Sequence, residues 1–145
     1  MTEDASPSAT APVVDALVQV SFAVSAVLTR SAAEHELSVT QLRMLGILRD
    51  RAPSMAALAE YLGLDRSSVS GLIDRAERRG LVARTTSPED ARVTIVSLTA
   101  QGSRLAVHLA ATVNDGIARL LNEVSASDRT RLVRIAESIT GVTNG

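Results

Sequence analysis

The sequence predicts a mainly α-helical domain with one small β-hairpin, in the order α-α-α-α-β-β-α-α. Three observations carry this. Apolar residues recur at spacings of three and four through both ends of the chain, as in helices with one buried face. Two β-branched, apolar segments, Leu81 to Thr85 and Val93 to Leu98, flank the turn-forming run Ser87-Pro88-Glu89-Asp90. Composition is 46% hydrophobic but only 1% aromatic, so the core must be built from Ala, Val, Leu and Ile.

A chain of 145 residues suits a single domain. Residues 1–11 are rich in Ser, Thr, Pro and Ala, with two acids and no base, and read as a disordered tail rather than a signal peptide. The domain spans 12–141. Pro12 suits a first helical turn, and Val13, Leu17, Val20, Val24 and Val27 then mark a long amphipathic helix to about His35. Ser38-Val39-Thr40-Gln41 has the form of a capping box, followed by a helix carrying Leu42, Met44, Leu45, Ile47 and Leu48. The segment Asp50 to Pro53 stops it. Ser54 can cap a short helix from Met55 to Leu62, which Gly63 ends.

Asp65 can cap the fourth helix by accepting the N–H of Ser67 or Ser68. Val69, Leu72, Ile73 and Ala76 form its buried stripe, and Gly80 suits the position after its C-cap. After the hairpin, Thr99 caps a helix whose stripe is Leu105, Leu109, Val113, Ile117, Leu120, Leu121 and Val124. A last helix starts near Ser127, buries Leu132, Ile135, Ala136 and Ile139, and ends at Gly141.

Composition excludes several function classes. Without Cys there are no disulfides, thiolate zinc sites or thiol redox sensors. His35 and His108 alone are a poor transition-metal set, so no metal or cofactor is expected. No uninterrupted apolar run approaches the roughly 18 residues of a membrane span, and the expectation is a cytoplasmic chain without a membrane partner. Ser67, Ser68 and Ser70 have no nearby His, and no nucleophile–base pair stands out, so the chain does not read as an enzyme. Net charge is −1, but all 15 basic residues are Arg. Nine of them lie between Arg43 and Arg92, where they exceed the seven acids by two.

Three constellations point towards DNA. Ala59, Gly63 and Val69 provide the small residue, the turn and the apolar filler that let two short helices cross steeply, as in a helix-turn-helix. With Val69, Leu72 and Ile73 inward, the fourth helix turns Arg66, Ser67, Ser68, Ser70, Gly71, Asp74 and Arg75 outward. Short hydroxyls near a helix N-terminus can bond bases or phosphates, and Arg66 and Arg75 can reach a phosphate or a guanine edge. At the hairpin, Asp90 stands two residues before Arg92 and can hold its guanidinium ready for a minor groove.

Asp65-Arg66-Ser67-Ser68-Val69-Ser70-Gly71-Leu72-Ile73-Asp74-Arg75, continuing through Arg79-Gly80-Leu81-Val82-Ala83-Arg84, resembles the recognition helix and first wing strand of the MarR family of bacterial regulators. Asp90-x-Arg92 with Leu98-Thr99 and Gly102 is similar to that family's wing signature. The resemblance implies a winged helix-turn-helix over 38–102, flanked by dimerisation helices over 12–37 and 103–141. It implies a homodimeric, sequence-specific regulator of double-stranded DNA, usually a repressor on a palindromic operator. Ser67, Ser68, Ser70 and Arg75 would lie in the major groove, Arg92 at the wing with Asp90 orienting it, and Arg84 as a basic residue beside the wing. The acids Glu89 and Asp90 at the wing depart from a purely basic footprint. Independently, apolar stripes at opposite ends of the chain suit a shared interface with a second copy.

Many members of that family release DNA on binding a small, often aromatic or phenolic, acid. The candidates here are Arg30, which could hold a carboxylate, with His35 and Met44. The alternative function is a winged helix that binds protein and has no operator of its own.

Overall fold

The computed structural model describes residues 7–143. Its elements are α1 (Pro7–Ala33), α2 (Val39–Asp50), α3 (Met55–Leu62), α4 (Arg66–Arg78), β1 (Val82–Thr86), β2 (Thr94–Leu98), α5 (Ala100–Leu120) and α6 (Ala126–Thr140). The tail assignment for 1–11 is corrected in part: α1 starts at Pro7, and Pro12 lies inside it. Residues 1–6 are outside the described residues. Pro7 takes the helix-opening role, where a missing N–H costs nothing, and Pro12 removes only one backbone bond in the second turn.

At its other end α1 closes with Leu37 N–H on the Ala32 carbonyl, at 3.0 Å, and with Glu36 at φ 55°. Left-handed backbone at that position normally calls for glycine. Ser38 and Gln41 then exchange the two capping-box bonds, 3.1 and 2.8 Å, that start α2. Gly63, at φ 65°, closes α3 and redirects the chain into α4.

The centre of the core holds Met44, Leu45, Leu58, Val69, Ile73 and Val96, each no more than 1% exposed. These come from α2, α3, α4 and β2, so the middle of the chain forms its own packed unit. Ala59, buried where α3 meets α4, leaves room for the crossing that defines the helix-turn-helix. The hairpin beside it is antiparallel, with Val82 opposite Leu98 and Thr86 opposite Thr94. Each strand begins one residue later than the sequence pattern suggested. A further bridge pairs Ser54 with Ile95, and Val96 N–H donates to the Pro53 carbonyl at 2.9 Å. The loop before α3 thereby stitches the wing to the helices. That pairing spans some forty positions and leaves no local signal in the sequence.

Thr99 both caps α5, accepting from Gly102 N–H at 3.0 Å, and donates to the Gly80 carbonyl at 2.6 Å. Gly102 lies so close to the Leu81 carbonyl that no side chain fits there. The end of α4 and the start of α5 are consequently locked together. α5 stops at Leu120, so Leu121 and Val124 fall in the following turn rather than on the helix.

Two expectations about the outer helices are corrected. α6 buries none of its large apolar residues within one chain: Leu132, Ile135 and Ile139 are 47%, 55% and 60% exposed. The stripe is present, but a single copy offers no surface to cover it. α1 likewise leaves Val13, Leu17 and Val20 about half exposed. The segment Thr10–Ala33 is 24 residues long with mean hydropathy 1.8, long and apolar enough to cross a membrane by length and composition. The expectation that no segment approaches that length rested on uninterrupted apolar runs, which scattered Ser and Thr break without making the helix polar.

Candidate nucleic-acid interface

Asp65 is placed at the start of α4 by the turn at Gly63. Its carboxylate accepts Ser68 N–H at 2.8 Å and the Ser67 hydroxyl at 2.7 Å. Those bonds, the backbone one foremost, hold the Asp65 carboxyl below the ordinary carboxylate range. The helix beyond follows a 3.6-residue period, with Val69, Leu72, Ile73 and Ala76 buried against the core. Arg66, Ser67, Ser68, Asp74 and Arg75 are exposed, and Ser70 and Gly71 are half-buried.

The exposed face divides into two grooves. One, of about 420 Å³, is lined by Ser38 and Thr40 of the α2 N-terminus and by Ser67, Ser68, Gly71 and Arg75 of α4. The starts of two helices meet there and bring the hydroxyl-bearing Ser38, Thr40, Ser67 and Ser68 to one groove. Arg75 lies back over Gly71, where a Cβ would come within 3.4 Å of its guanidinium. The second groove joins Arg66 and Ser70 to Met55 at the start of α3. Ser38 and Thr40 were read only as capping positions. Their place beside α4 depends on how α2 packs, which no local pattern encodes.

The wing carries Arg92, whose side chain is 91% exposed. Asp90 accepts from Arg92 Nε at 3.1 Å, from Nη2 at 3.2 Å and from the backbone N–H at 3.0 Å. These bonds hold the Asp90 carboxyl below its ordinary range and fix the direction of an otherwise solvated guanidinium. Arg84 is different. From β1 it turns back onto α4, donating to Asp74 at 2.6 Å and to Glu77 at 3.0 Å. The Asp74 carboxylate, ahead of Glu77, raises the guanidinium above its ordinary value. Arg84, expected as a DNA-binding basic residue beside the wing, does lie at the base of the wing, and its guanidinium is engaged inside the domain.

The three effector candidates do not converge. Met44 is 1% exposed in the core and cannot meet a ligand in this form, which corrects its assignment. His35 is half-buried and packs edge-on against His108, with ring centroids 5.1 Å apart. Arg30 lines a small polar cleft between α1 and α5 with Glu34, Asp115 and Arg119. A different cleft, of about 330 Å³, lies between α2 and α5. Leu42, Leu45, Ala106, Leu109 and Val113 make its apolar wall, with Arg49 at its edge.

A sequence profile of the MarR family matches residues 35–93, from the turn after α1 to the residue before β2. Over that segment the chain is similar to the MarR family. It is 33% identical over 82 residues to the HTH-type transcriptional repressor NicR of Pseudomonas putida, an alignment covering 56% of this chain and 52% of NicR. It is 32% identical over 71 residues to the HTH-type transcriptional regulator YfiV of Bacillus subtilis, covering 48% of this chain and 44% of that protein. The chain spans about half the length of the curated relatives it matches.

Among solved structures, a MarR-family regulator from Rhodococcus sp. RHA1 superposes with a TM-score of 0.80 at 23% identity, covering 96% of this chain and 100% of that one. An Escherichia coli MarR variant in complex with operator DNA gives 0.75 at 20% identity, covering 89% and 94%. CouR from Rhodococcus jostii RHA1, bound to p-coumaroyl-CoA, gives 0.72 at 25% identity, covering 85% and 87%. The first two likenesses establish the winged-helix fold, hairpin and flanking helices included.

Proposed function

We propose that this chain is a MarR-family transcriptional regulator, and not an enzyme, that binds a palindromic operator as a homodimer and acts as a repressor. The observation that carries the reading is the α4 face: Ser67, Ser68 and Arg75 stand exposed in a groove where two helix N-termini meet, with Arg92 held outward on the adjacent wing. This suits α4 in a major groove and Arg92 at the neighbouring backbone or minor groove. The operator complex of the E. coli relative and the repressor name of NicR support it. The exposed apolar stripes of α1 and α6 support the dimer, since they need a covering surface. Two copies joined there would set their α4 helices about one DNA turn apart, roughly 34–36 Å.

An effector fits the α2–α5 cleft better than Arg30, His35 or Met44, because that cleft has an apolar wall and is lined by Arg49, whose guanidinium rests on Asp50 in this form. A small aromatic or phenolic acid matches that lining. CouR, bound to p-coumaroyl-CoA, supports a ligand that carries a phenolic ring.

Selection of fragmented genomic DNA by the purified protein at two salt concentrations tests the reading. The expected result is a pseudo-palindrome with half-sites about ten base pairs apart, bound with an affinity that falls steeply with salt. Arg92→Ala should weaken binding to all sequences alike and lower the salt slope by about one, whereas Arg75→Ala should change which sequences are preferred. Absence of enrichment at both salts would overturn the proposal in favour of a protein-binding winged helix.

A further inference from the structure

Arg84 is the one wing-strand side chain whose guanidinium is engaged by α4 among the described residues. It reaches Asp74 and Glu77, and its Nη2 also lies 3.5 Å from the Ser70 carbonyl. Ser70, Asp74 and Glu77 are spaced by four and three, so they form one stripe along α4. A single planar fork therefore straps the base of the wing along nearly two turns of the helix. Beyond Arg84 the strand runs through Thr85 and Thr86 to the loop that carries Arg92. The direction of that loop relative to α4 is set where the strap is made.

Charge gives the same residue a second effect. Asp74 and Glu77 are the only carboxylates on α4, the helix assigned to meet phosphates. Both are partly exposed, at 51% and 43% of their side chains. Unpaired, they would repel a phosphate backbone lying within a Debye length of about 8–10 Å. Arg84 faces both of them.

Resting on the DNA-binding reading above, we infer that Arg84 is a positioning residue: it fixes the angle between wing and α4 and masks Asp74 and Glu77, so that α4 and Arg92 engage one duplex together. It does not contact phosphate itself. The distinction is testable because lysine serves a phosphate as a point charge but cannot replace a planar fork that spans three acceptors.

The experiment compares wild type, Arg84→Lys, Arg84→Ala, the pair Asp74→Asn with Glu77→Gln, and that pair combined with Arg84→Ala. Affinity for the duplex enriched by genomic selection, and for a scrambled duplex, is measured against salt. Amide hydrogen exchange of Thr85, Thr86 and Thr94 is followed without DNA. Arg84→Lys should lose about tenfold or more in affinity for the enriched duplex, because a point charge leaves acceptors unmet. Its wing amides should exchange faster. In the Arg84→Ala background, neutralising Asp74 and Glu77 should recover part of the affinity while exchange stays fast.

Wild-type affinity in Arg84→Lys would overturn the inference. So would an Arg84→Ala variant whose salt slope drops by about one with wing exchange unchanged, the mark of a lost phosphate contact. If the wild type binds neither duplex although both Arg84 variants loosen the wing, the strap survives as architecture, but the DNA reading and the positioning role built on it fall.

Discussion

Asp65 and Asp90 perform the same task at the two ends of the interface: each carboxylate orders the groups that follow it by accepting their N–H bonds. Both are held below the ordinary carboxylate range, Asp65 by Ser68 and Ser67, Asp90 by Arg92. A carboxyl with a lowered folded value stabilises the fold above its unfolded value, and loses that contribution as pH falls through the folded one. The window therefore lies below about pH 4. Acidification through it should loosen the first turn of α4 and free Arg92, seen as faster exchange of Ser68 N–H and altered chemical shifts at Arg92. Asp65→Asn should remove the first change and leave the second. A Ser68 amide insensitive to acid in the wild type would refute the capping account. At this scale much was legible, because Asp65 and Asp90 bond residues two and three positions away, within reach of a local pattern. The partners of Arg84 were not legible because they lie seven and ten positions back, across the turn between α4 and β1.

Helix ends show what an all-arginine basic set does in this fold. Arg43 donates to the Tyr61 and Leu62 carbonyls at the end of α3. Arg79 donates to the His35 and Glu36 carbonyls just past α1, at 2.9 and 3.2 Å. Arg129 does the same for Leu121 and Val124 after α5. In each case the fork meets two carbonyls at or just past a helix end, and its charge opposes the negative end of the helix dipole. Arg79 matters most for the interface, since it joins the last turn of α4 to the corner between α1 and α2. Arg79→Ala should lower stability by about 1 kcal/mol, the usual net value of such bonds. Urea unfolding would register this as a lower midpoint with an unchanged slope, and a changed slope would mean that the fold itself had altered. Element positions were largely readable: α2, α3 and α4 start at Ser38, Ser54 and Asp65 as their capping patterns predict. The early start of α1 was not readable because the Pro and Ser at its start resemble a tail, and the early stop of α5 because Leu121 and Val124 continue the helical spacing past the real boundary.

The whole chain is unevenly packed. Its middle, from α2 to β2, encloses most of the tightly buried residues, joined by Val27 and Ala32 of α1 and Ala106 and Leu109 of α5, while α1 and α6 also carry apolar stripes on the outside. A second copy is the covering surface proposed above, and it predicts that Ile135→Asp, on the exposed stripe of α6, shifts sedimentation from dimer to monomer. That variant should also lose most affinity for the palindrome while keeping the helix content of the central unit. A wild type that sediments as a monomer at micromolar concentration would refute the dimer, and with it the spacing of two α4 helices on one duplex.

Periodicity, caps and turn chemistry are properties of residues within one or two helical turns of each other, and the sequence alone determined what depends on them. That includes the order of elements, the buried stripe of α4, the helix-turn-helix corner at Ala59 and Gly63, and the pairing of Asp90 with Arg92. Tertiary structure decided whatever depends on segments distant in the chain meeting in space. It brought Ser38 and Thr40 beside Ser67 and Ser68, stitched the Pro53–Ser54 loop to β2, and drew Arg84 onto Asp74 and Glu77. It also sealed Met44 in the core and opened a cleft between α2 and α5 instead. Side-chain period fixes which face of a helix is apolar, but only packing fixes what that face, and the polar face opposite, will touch.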